Sequence, residues 1–124
     1  MKLRFFRCEN CGNIIVKIED SGVPVFCCGR AMTELVPGTS DGAAEKHVPV
    51  TEQDGNRVTV KVGSVAHPML EDHHISFIVL ETDKGFSVKK LDHTGTPEAV
   101  FMLADGETVT AAYEYCNIHG LWKK

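Results

Sequence analysis

The sequence predicts an all-β chain: a small metal-stapled domain over residues 1–37, then a compact antiparallel β-sandwich over residues 38–124. Three observations predict it. Four of the five cysteines crowd into the first stretch in two close pairs. Short strand-like runs fill the second stretch, with clear alternation of apolar and polar residues at 57–62. Turn residues separate those runs at short intervals, while no helical periodicity, internal repeat or low-complexity tract competes with them.

In the first stretch, Cys8-Glu9-Asn10-Cys11 is a C-x2-C pair, and fifteen residues later comes the adjacent pair Cys27-Cys28, followed by Gly29. Strand-like runs at residues 14–18 and 23–26 flank the turn Glu19-Asp20-Ser21-Gly22, and residues 33–36 offer a third strand. A unit this small buries too little surface to stand without a staple. Four thiolates on one metal ion supply it, because binding free energy then becomes folding free energy. Structural zinc sites normally carry a C-x2–4-C pair on both sides, and adjacent cysteines would give uneven angles at the metal. Zinc and iron both accept four sulfurs, so the ligands alone leave the metal open, with disulfides as the third reading. Pro37-Gly38-Thr39-Ser40-Asp41-Gly42 then reads as a linker.

The second stretch predicts six or seven short strands. Residues 46–50 begin it. At residues 57–62, Val58, Val60 and Val62 share one face and Thr59 and Lys61 the other. Residues 73–82 are rich in Ile, Phe and Val, and 86–91 follow the turn Asp83-Lys84-Gly85. Residues 98–103 and 108–115 are joined by Asp105-Gly106, a hairpin signal.

Composition bounds the function. The chain has 124 residues, 43% apolar and 24% charged, as in an ordinary globular protein. No apolar run approaches the ~20 residues of a membrane helix, and no signal peptide is read at the N-terminus, so the expected compartment is the cytoplasm. Cysteines stay reduced there, which favours metal binding. Net charge is −4, with residues 1–37 at +1 and residues 38–124 at −5. An acidic second domain argues against nucleic acid as a partner.

Chemistry concentrates near the C-terminus. Cys116 and His119, in Cys116-Asn117-Ile118-His119, put a thiolate and an imidazole on one tight turn at the end of a strand-like run, a metal-site pairing. His47, His67 and His73 stand at strand ends or turns upstream. His74 and His93 read as ordinary polar residues, since neighbours in an extended strand point to opposite faces and only one of His73 and His74 can face a given point.

These residues carry a resemblance. Cys8-x2-Cys11-x15-Cys27-Cys28 resembles the desulforedoxin motif. The segments Glu45-Lys46-His47-Val48-Pro49, His67-Pro68-x4-His73 and Cys116-Asn117-x-His119-Gly120-Leu121-Trp122 resemble the superoxide reductase family. Together they make the whole chain similar to the desulfoferrodoxins, the two-iron form; His74 stands where that family often has an aromatic residue. The resemblance implies a rubredoxin- or desulforedoxin-like first domain and an immunoglobulin-like sandwich. It implies two iron ions per chain: one on Cys8, Cys11, Cys27 and Cys28, the other on His47, His67, His73 and His119 in a plane with Cys116 axial. The implied activity is one-electron reduction of superoxide to hydrogen peroxide without dioxygen. Lys46 would attract the anion and Glu45 would close the sixth position on the ferric ion. The first iron would transfer electrons or staple its domain. A small electron donor such as rubredoxin and a homodimer are the implied partners. Without the resemblance, a zinc-ribbon interaction module on a β-sandwich adaptor, or a redox sensor or carrier, would fit the same chain.

Overall fold

A computed structural model describes residues 2–124. The chain forms two compact units, Met1–Val36 and Pro37–Lys124.

In the first unit, β1 (Phe5–Arg7) lies between β2 (Ile14–Val16) and β5 (Thr33–Leu35), all antiparallel, while β3 (Phe26–Cys27) and β4 (Arg30–Ala31) form a minimal hairpin. The runs on either side of Glu19–Gly22 do not pair with each other: β2 pairs with β1, and β3 with β4. Leu3, Phe5, Phe6 and Cys8 are this unit's buried core. Burying a large apolar side chain is worth about 1.5–3 kcal/mol, so three such residues cannot order some thirty-six. The Arg4 guanidinium clasps Glu34 in a fork, Nε to Oε2 at 2.9 Å and Nη2 to Oε1 at 2.8 Å. The Arg4 and Lys17 cations stand 5.3 and 5.0 Å from the Phe6 ring centroid.

The second unit is a β-sandwich. One sheet has the order β10-β7-β6 (Glu98–Met102, Arg57–Val62, Pro49–Asp54), the other β12-β11-β8-β9 (Gly120–Lys123, Val109–Cys116, Ile75–Thr82, Gly85–Lys90). The alternation at residues 57–62 produces the core face: Val58, Val60 and Val62 are at most 1% exposed. They join Ile75, Ile78 and Leu80 of β8, Ala99 and Phe101 of β10, and Ala112 and Cys116 of β11 in one cluster. Cys116 thus ends its strand at the edge of the core.

Two expectations are corrected. Residues 46–50 do not form a strand; α1 (Ala44–His47) is a single helical turn, and β6 starts at Pro49. Val48 donates its N–H to the Ala44 carbonyl at 2.9 Å but is itself extended, at φ −69° and ψ 122°. The residue before a proline is disfavoured in the helical region, so the turn stops at His47. Nor is Asp105-Gly106 a hairpin turn. Strand β10 pairs with β7 and β11 with β8, so these residues carry the chain from one sheet to the other. Turn chemistry fixes a reversal of direction, not the partner found after it. Among the described residues, no helix is long and apolar enough to cross a membrane.

Candidate metal centres

The first centre gathers Cys8, Cys11, Cys27 and Cys28, whose sulfurs all lie within 4.8 Å of one another. Cys8 follows β1 into a tight knuckle, closed by Cys8 N–H on Asn13 O at 2.9 Å and Gly12 N–H on Cys8 O at 2.8 Å. The Cys11 N–H reaches back to Cys8 Sγ at 3.5 Å. The adjacent pair sits in the β3–β4 turn, where Cys28 adopts φ +53°. In an extended strand, neighbours diverge; a left-handed residue breaks that rule and lets Cys27 and Cys28 aim at one point. Cys11 Sγ and Cys27 Sγ are 3.6 Å apart. Two sulfurs bound tetrahedrally at ~2.3 Å stand about 3.8 Å apart, so the spacing suits one ion. Backbone N–H groups, that of Cys11 first, lower the Cys8 thiol to about 6, whereas the Cys8 and Cys11 sulfurs push Cys27 up to about 12. Thiolates this close suppress each other's ionisation until a cation joins them.

The second centre gathers His47, His67, His73, Cys116 and His119, with donor atoms within 4.8 Å of one another. They come from α1, from the single loop between β7 and β8, and from the end of β11 with the β11–β12 turn. The four imidazoles make a square in the order His47, His67, His73, His119. Adjacent centroids are 4.7, 4.7, 5.1 and 4.8 Å apart, and each ring stands 72–84° from its neighbours. His47 Nδ1 lies 2.8 Å from the Ala43 carbonyl and His67 Nδ1 2.7 Å from that of Pro68. A carbonyl only accepts, so both Nδ1 atoms carry the proton and both Nε2 atoms present lone pairs. Yet those Nε2 atoms face each other at 3.1 Å, and His47 Nε2 lies 3.1 Å from His119 Nδ1. The buried Nε2 of His73 has no hydrogen-bond partner.

Lone pairs converging on one point repel unless a cation lies between them. Two nitrogens bound at right angles at ~2.1 Å stand about 3.0 Å apart, which fits the observed spacing. Burial, first among its causes, lowers His67 to about 4 and also depresses His47 and His73, so the rings are neutral and ready to donate. Cys116 is fully buried, its Sγ 3.3 Å from the His119 N–H and 3.8 Å from His119 Nδ1. Burial raises its thiol, while the N–H groups of His119 and Ile118 work the other way.

Glu45 and Lys46 both lie on α1 with exposed side chains, outside the donor group, and form no ion pair among the described residues. The Lys46 charge is one of the influences depressing His47 and His73. The α1 backbone is held by Gly63–Val65: Val65 N–H donates to Glu45 O at 2.8 Å and Ser64 Oγ donates to it at 3.2 Å. Gly63 lies so close that a Cβ there would come within 2.7 Å of Glu45 O. His74 lies outside the square, its Nδ1 2.9 Å from Leu70 O, and its ring faces His93 at 6.0 Å.

Three residues have contacts that sequence reasoning did not assign. Trp122 stacks on His47 with centroids 5.0 Å apart. Asn117 bonds to the backbone on both sides of His73. Glu114 is fully buried. Trp122 and Asn117 leave a signal, both standing in the motif around Cys116 and His119; Glu114 leaves none.

The desulfoferrodoxin family model matches residues 39–124. Desulfoferrodoxin of Nitratidesulfovibrio vulgaris is 49% identical over 119 residues, covering 95% of this chain and 92% of that one. The crystal structure of the superoxide reductase from Treponema pallidum superposes with a TM-score of 0.86 at 40% identity, covering 100% of this chain and 99% of that one. The superoxide reductase (1Fe-SOR) from Giardia intestinalis gives a TM-score of 0.56 at 34% identity, covering 64% of this chain and 95% of that one.

Proposed function

Because this chain belongs to the desulfoferrodoxin family, we propose that it is a superoxide reductase, an iron oxidoreductase that converts superoxide, one electron and two protons to hydrogen peroxide without releasing dioxygen. The observation that carries this reading is the square of four imidazoles, with lone pairs aimed inward, beside a buried thiol.

His47, His67, His73, His119 and Cys116 would hold one iron, which when bound supplies the single electron. Five protein donors make neither a closed structural tetrahedron nor a three-ligand hydrolytic zinc site. The Cys116 thiolate would donate electron density to that iron, as thiolate does to haem iron. His47 and His67 are held in the donating tautomer by the Ala43 and Pro68 carbonyls. Lys46 acts before chemistry: residues 38–124 carry −5, so an exposed ammonium beside His47 raises the local concentration of an anion. Glu45, adjoining it, would close the sixth position when the iron is ferric.

Cys8, Cys11, Cys27 and Cys28 would hold a second iron that staples the first domain (residues 1–37) and passes electrons from a small donor protein such as rubredoxin to the sandwich domain (residues 38–124). The working form is a cytoplasmic homodimer. Metal analysis and a superoxide assay test this reading. Two irons per chain, and one electron of reductant consumed per superoxide with no dioxygen evolved, are expected. Zinc in both sites, or dioxygen at half the superoxide consumed, rejects it.

A further inference from the structure

We propose that Asn117 is the positioning residue for His73, tying the loop that carries this imidazole to the turn that carries Cys116. The inference rests on the metal-centre reading above. The asymmetry among the four rings motivates it. His47 and His67 are each oriented by an Nδ1–H bond to a carbonyl. The His119 carbonyl is bound by Trp122 Nε1–H at 3.0 Å and by Ser40 Oγ–H. For His73, as for His119, the structure gives no such orienting bond to the ring, and the buried Nε2 of His73 is without a hydrogen-bond partner. Its aim therefore depends on its backbone.

That backbone is clamped by one side chain. Asn117 Oδ1 accepts the N–H of His74 at 2.8 Å. Asn117 Nδ2 donates to the Asp72 carbonyl at 3.0 Å. Its own backbone N–H reaches His74 O at 3.2 Å. The three bonds bracket His73 from the residue before it to the residue after it. The clamping residue directly follows Cys116, so the spacing of the sulfur and this imidazole is set through one amide. Only a group that both donates and accepts spans the two contacts. Aspartate has the size and turn preference but no donor for Asp72 O, and alanine has neither.

The full-length iron-loaded protein tests this through metal retention against a chelator and through hydrogen exchange of the His74 amide in the metal-free protein. Removing the partner that orients a ligand typically weakens metal affinity by about 10–100-fold. Asn117→Ala is expected to fall in that range at the sandwich site, to shift its thiolate-to-iron absorption, to speed exchange of the His74 amide and to leave the four-cysteine iron in place. In a His73→Ala background, Asn117→Ala should add no further loss. Asn117→Asp should be as weak as Asn117→Ala, and it supplies the test should the alanine variant fail to fold. Wild-type retention in Asn117→Asp, or full additivity with His73→Ala, overturns the proposal. If His73→Ala itself retains iron as the wild type does, the metal-centre reading fails instead.

Discussion

The Trp122 indole lies against the His47 imidazole, centroids 5.0 Å apart and planes 25° from parallel, and the Trp122 Nε1–H reaches the His119 carbonyl at 3.0 Å. One aromatic side chain on β12 therefore braces two corners of the imidazole square. Trp122→Phe keeps a ring for the stack and loses the hydrogen bond, a cost of about 1 kcal/mol. Trp122→Ala also opens a cavity, at about 3–5 kcal/mol. Urea denaturation should rank the two in that order, and iron should be lost from the sandwich site in the alanine variant alone. Equal stability in both would mean the stack contributes nothing.

Gly63 is predicted to tolerate no side chain. A Cβ would sit 2.7 Å from Glu45 O and 3.0 Å from both Lys46 C and Val48 O. All three are backbone atoms, which cannot swing aside as a side chain can. Overpacking of this kind costs about 1–3 kcal/mol, and here the turn bearing His47 must shift. Gly63→Ala should lower both melting temperature and iron retention. Gly95→Ala is the control: its nearest atom, Asp92 O, is 3.4 Å away. Matching losses in the two variants would refute the assignment.

For Lys46, the expected effect is on encounter. Lys46→Ala should slow the second-order reaction with superoxide several-fold at low ionic strength. The difference should shrink as the screening length falls from about 10 Å at 0.1 M salt to about 3 Å at 1 M. Lys46→Arg should retain the rate. Stopped-flow or pulse-radiolysis rates across a salt series decide the matter; a deficit independent of salt would assign Lys46 a role other than steering.

Glu114 predicts a pH dependence. It is fully buried, neither carboxyl oxygen has a hydrogen-bond partner, and burial pushes its carboxyl up to about 9. In the unfolded chain it titrates near its ordinary value of 4.5. Between those values the folded state keeps a proton that the unfolded state has released, so stability falls as pH rises. The limiting slope is ~1.4 kcal/mol per pH unit. Relative to Glu114→Gln, which has no proton to lose, the metal-free wild-type protein should weaken steadily from about pH 4.5 to about pH 9. Parallel stability–pH curves for the two would contradict it.

Cys28→Ser addresses the four-cysteine site. The variant removes one of the four sulfurs of the first unit and none of the five donors of the sandwich site, so it should hold one iron and react with superoxide in a single turnover at the wild-type rate. Steady-state turnover with a protein electron donor should fall if the first iron relays electrons. A loss of the single-turnover rate would show that the two units are chemically dependent.

The legible part of the fold was the part written as local pattern. Period-two alternation found the core face of β7, because each valine that alternates in sequence is buried in fact. Cysteine spacing singled out the four sulfurs that the first unit brings together. The partner of each strand was not written locally, which is why Asp105-Gly106 looked like a hairpin. The strand expected at residues 46–50 begins only at Pro49, because Ala44–His47 close a helical turn first. The adjacent cysteines converge through a left-handed residue that neither spacing nor propensity encodes. Asn117 stood in the motif after Cys116, but its partners were not legible for a related reason: they are Asp72 and His74, some forty residues away.

The imidazole square draws its corners from chain segments seventy-two residues apart, His47 and His119. It does not exist until the sandwich has closed, whereas the sulfur knuckle needs only two short turns. The two donor groups therefore differ in what they require of the fold: four sulfurs come from two local turns, whereas five donors come together only when segments far apart in the chain have met.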